Sequence, residues 1–184
     1  MNHSEISTRK TDRAYRLHYS KSRRGSVLLE FILAFPIILI LSLAILEFGF
    51  YAMLQQTITT ATIEGARKAA QVGSTTTAVG NLIQDYVALN SLTLAVGSQP
   101  AASNQGDVLV SIEDGSAALT QTIGNSDIPC SPVGPAPNAD QIKVTVCVNL
   151  TNTNGKFPLP DLLSSFGFSL SGKQLEISAM TSLE

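Results

Sequence analysis

Past residue 18 the chain contains no histidine; His3 and His18 are the only two. The body therefore lacks the usual general base and the commonest metal ligand. It also lacks a G-x-S-x-G elbow, a glycine-rich phosphate loop after a strand and any run with metal-ligand spacing. Adjacent acids such as Glu113 and Asp114 read as a solvated turn rather than a catalytic pair. Cysteine is scarce: Cys130 and Cys147 are the only ones. Two thiolates without histidine are too few for a structural metal site. No internal repeat is visible. No cofactor or metal is expected, and a membrane-tethered enzyme ranks third, behind the two functions given below.

Charge is sparse, at 14% of residues, and unevenly placed. Residues 1–25 hold seven Lys/Arg against two acids, a net of +5, and the remainder holds five basic against twelve acidic residues, a net of −7. A basic run of this kind can bind nucleic acid. Here it abuts an apolar span, where Lys and Arg are retained on the cytoplasmic side. Arg23 and Arg24 are therefore read as a topology signal, and no nucleic-acid partner is expected.

Residues 27–51 contain Glu30 and Glu47 but no Lys or Arg. Crossing a hydrocarbon core of about 30 Å takes roughly 20 apolar residues, so this run suffices. A cleaved secretory signal shares the basic start and apolar core, but its core is typically 7–15 residues. The helical pattern here also continues beyond the apolar run, with Met53, Ile58, Ala61 and Ile63 on recurring faces. One helix is predicted over residues 26–72, about 70 Å long at 1.5 Å per residue. Three residues in the span are out of character. Glu30 costs a few kcal/mol in lipid unless it has a role or lies at the headgroup boundary near Arg23 and Arg24. Pro36 removes a backbone donor and is expected to kink the helix. Glu47, near the outer end, is expected at the interface.

The combination of Arg23-Arg24-Gly25, Glu30-Phe31, Pro36, Glu47-Phe48-Gly49 and Glu64-Gly65-Ala66-Arg67 resembles the N-terminal region of TadE-like pseudopilins of tight-adherence (Tad, or Flp) pilus systems. The resemblance covers about the first quarter of the chain past the leader. It implies cutting by a prepilin peptidase between Gly25 and Ser26, so that residues 1–25 are a leader and Glu30 becomes fifth in the mature chain. In related pilins the fifth-residue glutamate is thought to pair with the N-terminal amine of a neighbouring subunit. Cleavage here would free an amine at Ser26, and a buried carboxylate is tolerable beside a cation. Glu30, Phe31 and Pro36 are thus the expected assembly surface. The implied partners are the peptidase, other pseudopilins or pilin subunits, and membrane lipid.

The outer domain, residues 73–184, reads as α+β. Gly73 begins a break, and an amphipathic helix is expected at about 78–93. Short strands are expected at 107–113 and 118–124. The Pro-rich stretch around Cys130 is loop. The clearest strand, 141–150, turns Ile142, Val144, Val146, Val148 and Leu150 to one face. Lys143, Thr145, Cys147 and Asn149 turn to the other, expected to be wetter. A loop carrying Cys130 could cross that face, and a Cys130–Cys147 disulfide would close about 18 residues, worth roughly 3 kcal/mol in the chain-entropy model. Two free thiols or an inter-subunit bridge remain open. A helical turn is expected at 161–165, with exposed aromatics around it, and a final strand from 173 should pair with 141–150. The expected architecture is a long N-terminal transmembrane helix, then a small, mostly antiparallel sheet with one packed helix, pilin-like in outline.

Two functions follow. The first is a minor pseudopilin, held in the inner membrane with its N-terminus cytoplasmic and its outer domain extracytoplasmic, that builds or primes an adhesive pilus. The second is an uncleaved single-pass membrane protein whose outer domain binds a partner or ligand.

Overall fold

A computed structural model describes residues 23–97, 99–132, 134–150, 159–170 and 172–184, with only the backbone course given for residues 23–26. Of the predicted leader, residues 1–25, residues 1–22 lie outside the described residues.

Helix α1 runs from Arg23 to Ala70, 48 residues, or about 72 Å at 1.5 Å per residue. It continues through Pro36 without a break in helical assignment. Among the described residues it is the one helix long and apolar enough to span a membrane. The chain divides into two units, Met1–Ser42 and Leu43–Glu184. In the first unit, none of the side chains from Val27 to Leu39 is buried. In the second unit α1 acquires one buried face, including Leu54, Ile58, Ala61, Ala66 and Ala70.

Gly73, at φ +77°, turns the chain out of α1. Helix α2, Thr76–Val87, starts where the Thr75 hydroxyl accepts from the Ala78 N–H at 3.2 Å, a side-chain cap of the helix start. The expected helix over 78–93 is thus shifted and shortened. Beyond Val87 a 3-10 turn covers Ala88–Asn90, and Ser91 takes a left-handed conformation that ends it. The Leu92 N–H then bonds back to the Val87 carbonyl, as at many helix ends.

Four strands follow: β1 Val108–Asp114, β2 Leu119–Gly124, β3 Gln141–Asn149 and β4 Gln174–Ser182. They form one antiparallel sheet in the order β2-β1-β3-β4. The predicted pairing of the last strand with the 141–150 strand is present along all of β3, from Gln141↔Ser182 to Asn149↔Gln174. The fold is α+β and pilin-like: a long apolar helix, then a four-stranded sheet with one packed helix.

Register explains the core. Val108 pairs with Val148, Val110 with Val146 and Ile112 with Val144, and alternation puts all six on one face. They share a cluster with Leu54 and Ile58 of α1 and Val79, Ile83 and Val87 of α2. The opposite face corrects the sequence expectation. Lys143, Thr145 and Cys147 do alternate away from the valines, but that face is not wet: they are 2%, 0% and 1% exposed. The Pro-rich loop closes over it. Ile128 and Cys130 pack with Leu109 and Cys147, and the Lys143 ammonium donates to the Pro135 carbonyl at 3.3 Å. Lys143 also pairs with Glu113 at 3.5 Å, and Thr145 and Ser178 share a hydroxyl hydrogen bond of 2.8 Å. Lys143, Thr145 and Ser178 are thus partnered, as burial demands.

Candidate assembly site on the N-terminal helix

The first candidate region is the start of α1. Positions 26 and 30 are four apart, one helical turn, and so share a face. The side chains of Arg23, Arg24, Gly25 and Ser26 lie outside the described residues; their backbone is helical. Glu30 is exposed within a surface of exposed Val27, Leu28, Phe31, Ile32 and Leu33. Phe31 and Phe35, also one turn apart, lie with ring centroids 5.7 Å apart at 32°. Pro36 lacks the N–H that would bond the carbonyl of Ile32, one turn back. An apolar surface this continuous needs lipid or other helices to cover it. A carboxylate in it favours a cationic partner.

The second region lies lower in the sequence signal but is better defined in space. Glu47, expected at an interface, is buried at 5% exposure. Its Oε2 accepts the backbone N–H of Leu163 at 3.0 Å. The loop carrying Leu163 forms a 3-10 turn at Ser164–Phe166, close to the helical turn expected at 161–165. Phe166 and Phe168 are exposed, in line with the exposed aromatics expected there.

The third region is Glu64-Gly65-Ala66-Arg67. Glu64 and Arg67 form an i,i+3 ion pair at 2.9 Å on the surface. Gly65 faces α2: a Cβ there would come within 2.9 Å of Ile83 Cδ1 and 3.7 Å of Val144 Cγ1. The glycine lets α2 close onto α1, and Ala66 beside it is buried.

Residues 25–67 match the family model described as TadE-like protein. The chain carries a TadE-like domain. That segment holds all three regions of α1 just described, from Gly25 through Glu30 and Glu47 to Arg67. No curated protein and no solved structure matches the chain.

Beyond the TadE-like domain, Cys130 and Cys147 are joined in a disulfide, with Cα atoms 5.8 Å apart. Glu176, the β4 partner of Cys147, brings a carboxylate oxygen within 4.8 Å of both sulfurs. A metal would need thiolates, and these sulfurs are bonded to each other. The bond from Leu163 to Glu47 is what sequence reasoning missed. The two residues are 116 positions apart, and neither local pattern nor periodicity links them.

Proposed function

We propose that the chain is a minor pseudopilin and an assembly component of a Tad-type adhesive pilus. It is made with a basic leader, cut by a prepilin peptidase between Gly25 and Ser26, and held in the inner membrane by the apolar part of α1. The single observation that carries this reading is the TadE-like segment itself, which opens on Gly25 and sets Glu30 fifth after the cut. The N-terminus is cytoplasmic and the α+β domain extracytoplasmic. The excess of Lys and Arg before the span supports that orientation, as does a disulfide after it, since such bonds persist in oxidising compartments. Other pseudopilins or pilin subunits meet the exposed face of α1, with Glu30 pairing to the new amine of a neighbour and Phe31 and Pro36 shaping the contact.

Mass spectrometry of the protein from membranes or pili tests the processing step: the expected N-terminus is Ser26. An intact Met1 end in a cell that makes functional pili would overturn it and favour the uncleaved single-pass reading. Glu30→Ala should impair co-assembly; unchanged processing and unchanged co-assembly together would remove the role assigned to Glu30.

A further inference from the structure

The 159–170 loop is held at both ends and in the middle. Leu159 is buried in the core and Leu170 packs against it. The Leu163 N–H is bonded to Glu47, and the Leu163 carbonyl accepts from the N–H groups of Phe166 and Phe168 at 2.9 and 3.2 Å. This fixed loop nevertheless turns Leu162, Phe166 and Phe168 outward, with Phe168 69% exposed. Asp161 is its sole charged residue, and the carboxylate accepts from the Ser169 hydroxyl at 2.9 Å. A rigid, nearly uncharged loop that exposes two phenylalanines needs an apolar covering.

The position of Glu47 identifies that covering. It lies inside the apolar run 27–51, four residues before its end, or about 6 Å along the helix. The loop bonded to it therefore sits at the level where the span leaves the hydrocarbon. Phe48 and Phe50, on the same turn of α1 as Glu47, are exposed too. We propose that Leu162, Phe166 and Phe168 insert into the headgroup–acyl boundary of the bilayer, so that the outer domain rests on lipid through this loop. Apolar and aromatic side chains are favoured at that boundary. The proposal rests on the reading of α1 as a membrane span.

The chain has no tryptophan, so single Trp substitutions report their own surroundings. Three full-length variants, Phe35→Trp, Phe168→Trp and Leu119→Trp, would be reconstituted in phosphatidylglycerol/phosphatidylethanolamine vesicles whose acyl chains carry brominated carbons at shallow or deep positions. Leu119 is half exposed and lines a shallow depression with Ala69, about 33 Å beyond Glu47 along α1. The expected result is loss of Phe35→Trp fluorescence to deep bromines, loss of Phe168→Trp fluorescence to shallow bromines with a blue-shifted emission, and no loss for Leu119→Trp. Quenching at 35 without quenching at 168 would overturn the loop proposal and leave the span intact. A Phe168→Trp blue shift that appears only as the protein-to-lipid ratio rises would assign the loop to a second copy of the chain and equally overturn it. No quenching at 35 would overturn the span, and the loop proposal with it.

Discussion

The carboxylate of Glu47 accepts a hydrogen bond from the backbone N–H of Leu163 at 3.0 Å, joining the TadE-like helix to a loop 116 positions later. Glu47→Ala leaves that N–H unpaired in a half-buried place, at a cost of about 1–3 kcal/mol. Faster hydrogen exchange of the amides from 163 to 168 should report it. Glu47→Gln keeps an acceptor and should lose less. Equal exchange in wild type and Glu47→Ala would show that the bond does not hold the loop.

Gly65 is predicted to be coupled to Ile83. Alanine at 65 gains roughly 1 kcal/mol of helix propensity, but its Cβ would meet Ile83 Cδ1 at 2.9 Å, and overpacking costs about 1–3 kcal/mol. Ile83→Ala removes that methyl group together with Cγ1, which a Cβ at 65 would meet at 3.0 Å. Gly65→Ala should therefore be better tolerated in the Ile83→Ala background than alone, by about 1 kcal/mol in a denaturation double-mutant cycle. Strict additivity would contradict the close approach.

Reducing the Cys130–Cys147 bond, or replacing both residues with serine, should destabilise the outer domain by roughly 3 kcal/mol. The effect should be local, because the loop it holds covers the face opposite the helices. Amine-reactive labelling of Lys143, buried under that loop, is the sensitive readout. Labelling unaffected by reductant would mean that the loop stays closed without the bond.

Asp114 has its carboxyl held below the usual carboxylate range. The chief cause is the Ser116 hydroxyl, which donates to Asp114 Oδ1 at 2.7 Å; slight burial opposes it, and the N–H groups of Ser116 and Ala117 add to it. Because the folded-state value is lowered, this group's stabilisation is fully present above the unfolded-state value. It is lost as pH falls through the folded-state one. Ser116→Ala should raise the Asp114 value in an NMR titration and flatten the acid side of the stability profile. An unmoved titration curve would refute the assignment to Ser116.

Where the sequence pattern is local, it was legible. Strict alternation in 141–150 gave β3 and its core-facing valines, and the apolar run with its basic flank gave α1. What alternation could not reveal was how the second face of β3 is covered. Lys143 and Thr145 look solvent-directed because polar residues alternate there. Their burial depends on a Pro-rich loop with no periodic signal of its own. The end of α2 was equally hidden, since Leu89 continues the apolar spacing while Ser91 adopts the left-handed turn. In the candidate site, Glu30 stood out as a charge in an apolar run. Glu47 stood out for the same reason, but its partner is a backbone amide that any residue at 163 would supply.

Glu47 and Gly65 both lie on the buried side of α1, and they are 18 positions apart. At 3.6 residues per turn that is about five whole turns, so the loop and α2 read the same edge of one helical ruler. A single-residue insertion between them would rotate one mark by roughly 100° relative to the other. Inserting two full turns would restore the angle but move the marks about 10 Å further apart. Neither length change preserves both contacts. The stretch between the two motifs should therefore tolerate substitution on its outward side far better than any change in its number of residues.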